Sequence, residues 1–236
     1  LCLTKCVEIV ANPDRRNIYE KYFREGQDID TIKRIRMPIA DDLLKETINY
    51  PLTIIYLPLR WCGYVYKLLE NVMGTSQYYP PGCPAKPKYR LFEQYHAPQT
   101  TSMKEEIFEQ LHAETSTIRV VLATIAIGMG VDIRSIRQVI HIGPPRSIRE
   151  YFQESGRAGR DGKLSRSVLY NNNKDIRKNK PGINDDMPEY CQSKELCLRV
   201  FILECLDANQ PEPLQPGHLC CSVCKNSCLC MNCRDT

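Results

Sequence analysis

Residues 137–170 read RQVIHIGPPRSIREYFQESGRAGRDGKLSRSVLY, and three elements come directly from them. Arg137 to Ile142, with Val139, Ile140 and Ile142, reads as a short buried strand. Ser147-x-x-Glu150 is a capping-box pattern, in which a hydroxyl and a carboxylate satisfy the free N–H groups of a helix start. That helix is expected to run to about Ser155, and Ser165 to Tyr170 is a further strand. Strand, helix and strand in this order make a βαβ unit with parallel strands.

The same alternation extends upstream. Ile118 to Thr124 is another buried strand, and Ser102-x-x-Glu105 is a capping box ahead of Ile107, Phe108 and Leu111. Tyr78 to Pro84 is a proline-rich loop. Trp61, Val65, Leu68, Leu69 and Val72 repeat at the helical period, with Gly74 as the stop, and Leu52 to Leu57 between Pro51 and Pro58 is a strand. Residues 1 to about 50 are mixed and charged, with a turn at Asn12 to Asn17. Downstream, Asn171 to Tyr190 is polar and contains Lys180-Pro181-Gly182, the composition of a linker. Cys191 to about Leu206 has helical spacing. The expected class is α/β, a parallel sheet covered on both faces, followed by a small helical region.

The 236 residues carry a net charge of +4, and 42% are hydrophobic, which fits one or two globular domains. The longest apolar run, Val120 to Val131, is broken by Thr124, Gly128 and Gly130 and falls short of the ~20 residues of a membrane span. No membrane association is expected. The opening Leu1-Cys2-Leu3-Thr4-Lys5-Cys6 has no cap or turn chemistry and is the beginning expected of a piece of a longer chain.

Nine of the 13 cysteines lie between Cys191 and Cys233. A disulfide framework disperses its cysteines through a small fold, whereas thiolates two residues apart converge on a tetrahedral ion. Cys221-x-x-Cys224 is such a pair, with Cys220 adjacent and Cys197 upstream, and zinc in a reducing compartment is the expectation. The alternative is a run of buried thiols. His218, Cys228, Cys230 and Cys233 are left open: Cys228 can replace Cys220, or the tail can bind a second ion.

Gln153 to Gly162, QESGRAGRDG, is the segment richest in chemistry. Two arginines three residues apart, with small residues between, let phosphate oxygens approach planar guanidinium forks. The competing reading is a solvated arginine face. From Arg134 to Arg166 there are eight basic and three acidic residues, a local excess suited to a nucleic-acid backbone. Arg146 and Arg149 flank the helix start and are candidates for that contact.

QESGRAGRDG resembles motif VI of superfamily 2 helicases in the form found in the RecQ family. Ala123-Thr124-Ile125-Ala126-Ile127-Gly128-Met129-Gly130-Val131-Asp132 is similar to motif V, and Val139-Ile140-His141 with Pro144-Pro145 to the strand between the two motifs. Thr53 to Leu57 resembles motif IV, and Tyr95-His96-Ala97 the short element after it, although Pro98-Gln99-Thr100-Thr101 stands where the family continues with glycine. Pro13-Asp14-Arg15-x-Asn17-Ile18 resembles the passage between the two motor domains. Cys197-Leu198-Arg199 and Cys220-Cys221-Ser222-Val223-Cys224 resemble the zinc subdomain of the family, with Leu198 in place of its first arginine.

The resemblance implies a RecA-like, P-loop NTPase-type domain over residues 46–172. The end of a first motor domain and a linker would occupy residues 1–45, and a zinc-binding subdomain with a cysteine-rich tail residues 173–236. It implies Arg160 as the principal arginine finger on ATP-Mg, Arg157 beside it, and Gln153 facing the same cleft. Gly128, Gly130 and Asp132 would form a nucleotide-side loop, and Cys197, Cys220, Cys221 and Cys224 would hold zinc. The implied activity is 3′–5′ DNA unwinding in recombination and repair in the nucleus, with single-stranded and junction DNA as partners. Neither G-x-x-x-x-G-K-(S/T) nor D-E-x-H occurs, so the chain is expected to need a first motor domain and to be inactive alone. The alternative is a non-catalytic, zinc-stabilised binding module derived from a helicase gene.

Overall fold

The computed structural model describes residues 13–24, 38–124, 133, 135–177, 181–208 and 213–231. Its centre is a six-stranded, wholly parallel sheet in the order β1-β6-β5-β2-β4-β3. The strands are β1 (Ile18–Arg24), β2 (Thr53–Tyr56), β3 (Phe92–Tyr95), β4 (Val120–Ala123), β5 (Gln138–Ile142) and β6 (Ser165–Asn171). Helical turns α1 (38–46) and helix α2 (Leu59–Met73) cover one face. Helices α3 (Thr101–His112) and α4 (Ile148–Ser155) cover the other.

The period-two alternation of the strands sorts their side chains between these faces. Ile55, Val120, Leu122, Ile140 and Val168 pack with Leu43, Cys62, Val65 and Leu69 of α1 and α2. Their neighbours Ile54, Val121, Ala123 and Val139 pack with Ile107 and Leu111 of α3. All four residues of β4 are wholly buried, as a central parallel strand requires. Among the described residues no helix is long and apolar enough to cross a membrane.

A second cluster carries three short helices, α5 (Asp186–Gln192), α6 (Leu198–Cys205) and α7 (Ser222–Asn226). Tyr190, Leu198, Phe201 and Val223 pack there against Ile148 and Tyr151 of α4 and Leu169 of β6. The cysteine-rich region is thus built onto the outer side of α4.

Two strands depart from the sequence reading. Residues 18–24, read as part of a mixed segment ahead of the sheet, form its edge strand, in register from Ile18 opposite Ser165 to Arg24 opposite Asn171. Glu20 in that strand is buried and accepts a 2.6 Å hydrogen bond from the Tyr151 hydroxyl, 131 residues away. Burial raises the Glu20 carboxyl to about 7, against the opposing hydrogen bonds of Tyr151 and Ser167. The opposite edge, β3, also went unread, since Phe92-Glu93-Gln94-Tyr95 has only two apolar-looking ends. The cap of α3 moves as well: Thr100, rather than Ser102, accepts from the Met103 amide at 3.3 Å. The entry is fixed by Gln99, whose side chain accepts from the His96 amide and donates to the Gln94 carbonyl.

Candidate functional site

The arginine segment begins with the cap of α4. Ser147 Oγ accepts from the Glu150 amide at 3.2 Å, as the box pattern requires. The reciprocal bond is displaced by one residue, since Glu150 Oε2 accepts from the Arg146 amide at 2.8 Å. The helix ends at Gly156, where a Cβ would lie 2.7 Å from the Phe152 carbonyl oxygen. The chain then turns through Gly159 at φ +60, where a Cβ would meet Asn17 Nδ2 at 2.4 Å and Ser165 Oγ at 2.7 Å. Glycine is required there both by conformation and by space.

What fills that space is a brace from the residues before β1. Arg15 donates from Nη1 to the Gly156 carbonyl at 2.9 Å and from Nη2 to the carbonyls of Ala158 and Gly159 at 2.9 and 3.0 Å. Asn17 Nδ2 donates to the carbonyls of Gly159 and Lys163 at 2.7 and 2.9 Å. The Gly159 amide donates to the Ile136 carbonyl, which pins the turn to the N-terminal edge of β5. Arg137 and Asp161 form an ion pair on the same side.

On this turn the two arginines differ. Arg160 is exposed, and so is Gln153 on α4. Arg157 is 8% exposed and lies against the Tyr56 hydroxyl, so it does not share an open cleft with Arg160. The reason is local: Ala158 is fully buried in the core under α3, and its neighbour Arg157 is drawn in beneath the turn with it. Burial, then the adjacent Arg160 charge, lowers the pKa of Arg15 from its ordinary value. Gly128, Gly130 and Asp132 lie outside the described residues.

At the other end of the strands, a cleft of about 430 Å³ opens above β2, β5 and β6, lined among others by Tyr56, Trp61, His141, Pro144, Arg146 and Asn172. Tyr56 joins the two regions, stacking on His141 at 5.1 Å between centroids while its hydroxyl faces Arg157. His141 Nε2 lies 2.8 Å from Glu154 Oε2 in a buried pair that locks α4 to β5. Arg146 is exposed at the cleft rim. Arg149 is exposed and reaches Asp207 at 3.5 Å, a solvated pair worth under about 1 kcal/mol.

The sulfurs of Cys197, Cys220, Cys221 and Cys224 all lie within 4.8 Å of one another. Cys197 caps α6, and Cys221 caps α7 by accepting from the Cys224 amide at 3.4 Å. Sulfur separations of 3.4 Å (Cys197 to Cys220) and 4.0 Å (Cys221 to Cys197) bracket the ~3.8 Å edge of a tetrahedron with Zn–S bonds of ~2.3 Å. Three of the four residues are buried, and all four cysteines are free of disulfide bonds. The donor set therefore fits a closed, structural zinc site. Hydrogen bonds from Cys197 and Cys221 pull the Cys220 thiol down, and Arg199 at 3.7 Å adds to this. Arg199 also holds Asp14 through Nε at 2.6 Å and Nη2 at 3.0 Å. Cys191 and Cys205 stay outside the cluster, and burial pushes the Cys191 thiol up to about 12.

Asp14, Arg15 and Asn17 are the site residues that sequence reasoning missed. Their polar side chains directly ahead of a strand were the available signal. Arg15 and Asn17 donate to carbonyls more than 140 residues downstream, and Asp14 accepts from the guanidinium of Arg199, 185 residues away, which no local pattern reports. Arg15→Ala removes three charge-assisted bonds and is expected to lower the stability of the chain by about 2 kcal/mol. Arg15→Lys restores little, because an ammonium cannot bridge three carbonyls as the planar fork does. Urea denaturation of the three proteins checks this, and coincident midpoints would refute it.

Comparison with known proteins gives the class first. The helicase conserved C-terminal domain family matches residues 85–162. Domain 2 of the DEAD-box helicase Mss116p, solved bound to an RNA duplex, aligns with a TM-score of 0.52 at 18% identity over 66% of this chain and 55% of that one. The Mycobacterium smegmatis helicase Lhr, solved with ssDNA and AMP-PNP, aligns at 0.55 and 17% identity over 86% of this chain and 24% of that one. The fold is that of the second RecA-like domain of a helicase.

The relatives by sequence narrow it further. ATP-dependent DNA helicase Q-like 2 of Arabidopsis thaliana is 27% identical over 97% of this chain and 30% of its own length. Mouse ATP-dependent DNA helicase Q1 is 34% identical over 57% of this chain and 21% of its own length. RecQ of Pasteurella multocida is 45% identical over 32% of this chain and 12% of its own length. These relatives are DNA helicases of the RecQ type, and the chain spans less than a third of their length.

Proposed function

We propose that this chain supplies the second motor domain and zinc subdomain of an ATP-dependent 3′–5′ DNA helicase acting in recombination and repair in the nucleus. The observation that carries the reading is the exposed Arg160 on a turn braced by Arg15 and Asn17 from the segment before β1. A guanidinium held on rigid backbone stabilises charge on a transferring phosphoryl group without reorganising. ATP and magnesium belong to the cleft between this domain and a first motor domain. In that cleft Arg160 reaches the γ-phosphate and Gln153 senses the nucleotide. Arg157 acts from beneath, fixing Tyr56 and the turn. Zinc bound by Cys197, Cys220, Cys221 and Cys224 stabilises the helical region.

DNA follows the cleft at the C-terminal strand edge, where Arg146 offers a phosphate contact beside Trp61 and Tyr56, with Arg149 further along α4. Binding through such contacts weakens steeply with added salt. The test compares residues 1–236 with the same chain joined to the first motor domain encoded by its gene. The joined protein is expected to show DNA-stimulated ATPase and to unwind 3′-tailed duplexes, and the chain alone to do neither. Turnover by residues 1–236 alone contradicts the reading. DNA or protein binding without ATPase in the joined protein favours the non-catalytic module.

A further inference from the structure

Beyond the four-thiolate cluster, a second set of metal donors is assembled at the end of the described chain. His218, Cys228 and Cys230 place one ligand atom each within 4.8 Å of the others. His218 Nδ1 lies 3.1 Å from Cys230 Sγ and 3.7 Å from Cys228 Sγ. For zinc with bonds of ~2.3 Å to sulfur and ~2.05 Å to nitrogen, the tetrahedral N···S edge is about 3.5 Å. The two measured separations fall on either side of it.

Backbone features hold these donors together. Residues Gly217–Leu219 form a single turn packed against α7 so closely that a Cβ at Gly217 would lie 2.5 Å from the Cys224 carbonyl oxygen. Only glycine allows that approach, and it carries His218 to the chain leaving α7. There the Cys228 amide donates to the Lys225 carbonyl at 3.1 Å, folding the chain back toward His218. All three side chains are half-buried, and both cysteines are free of disulfide bonds. None of the three belongs to the four-thiolate cluster.

We propose that His218, Cys228 and Cys230 form a second zinc site, separate from the four-thiolate one, which clamps the segment after α7 onto the Gly217 turn. Two thiolates and an imidazole are a borderline-soft donor set that selects zinc over magnesium or calcium. Three protein donors leave one tetrahedral corner for a further ligand, so this site is the weaker of the two. Cys233 lies outside the described residues.

The test uses residues 1–236 prepared under reducing conditions with zinc and freed of loose metal, with zinc measured by mass spectrometry and thiols mapped by alkylation. About two equivalents are expected, falling to one in the Cys228→Ser/Cys230→Ser double variant. Stepwise chelation of the unaltered protein provides a readout that does not depend on the variant folding. The first equivalent to leave is expected to open Cys228 and Cys230 to N-ethylmaleimide while Cys197, Cys220, Cys221 and Cys224 remain protected. One equivalent with Cys228 and Cys230 freely alkylated, or two equivalents persisting in the double variant, overturns the proposal. One equivalent with Cys228 and Cys230 protected and the other four alkylated supports it while overturning the four-thiolate reading.

Discussion

Arg160→Ala, in the protein joined to its first motor domain, is expected to lower kcat for DNA-stimulated ATP hydrolysis by roughly 10³–10⁵-fold. The size follows from where the interaction is made. A guanidinium that meets charge developing on the phosphoryl group contributes mainly in the transition state, so kcat falls while the KM for ATP changes little. Arg160 is exposed and the turn beneath it is held by Arg15, Asn17 and the Ile136 carbonyl, so its removal leaves the fold intact. Zinc content and thermal stability should match the parent protein. Arg160→Lys recovers only a small part of the rate, because a point charge does not reproduce the fork. Arg157→Ala provides the contrast. Its side chain is buried against Tyr56, so the loss of activity is accompanied by a lower melting temperature. Steady-state ATPase and calorimetry on the three variants decide this. A fall of less than tenfold for Arg160→Ala removes the finger assignment.

The parts of this molecule that were legible in its sequence are those whose signal is local. Val120–Ala123 is continuously apolar and Gln138–Ile142 is rich in Val and Ile because both faces of a central parallel strand are buried. Ser147 was readable as a cap because hydroxyl and partner amide lie three residues apart. The four-thiolate cluster was readable because Cys221 and Cys224 fall on the cap and first turn of a single short helix, with Cys220 directly before the cap. The unread parts depend on distant partners. Glu20 looks like a surface charge until Tyr151 is placed over it, and β1 looks like a linker until β6 pairs with it. Arg15 and Asn17 stand in a polar stretch, and only the folded chain brings the Gly159 turn to them. Arg157 and Arg160 carry the same chemistry in sequence. The core position of Ala158 between them is what sends one inward and leaves the other outside.

Removing zinc from the four-thiolate cluster is expected to cost far more than any single side chain at the arginine turn. Structural zinc contributes on the order of 10 kcal/mol to folding in small domains, and the apolar support available to α6 and α7 is limited to one cluster. Cys197, Cys220 and Cys221 belong to that same cluster together with Ile148, Tyr151 and Leu169, so loss of the ion loosens the bed on which α4 lies. A second link runs through Arg199, which touches Cys220 Sγ and pairs with Asp14 in a bridge whose side chains are 5% and 6% exposed. If α6 shifts, that buried pair opens, at a cost of about 3–5 kcal/mol. Asp14 immediately precedes Arg15, so the disturbance passes into the brace of the Arg160 turn. Cys221→Ser, or treatment with a strong zinc chelator, is therefore expected to lower the melting temperature by more than about 10 °C, the scale of a loss of several kcal/mol in a chain this size. It is also expected to speed amide exchange in α4 and at Gly159, not only in α6 and α7. Readdition of zinc should reverse the chelator effect in the parent protein but not in the Cys221→Ser variant. An unchanged melting temperature after complete zinc removal would falsify the site. Faster exchange confined to α6 and α7 would sever the proposed link between the metal and the arginine turn.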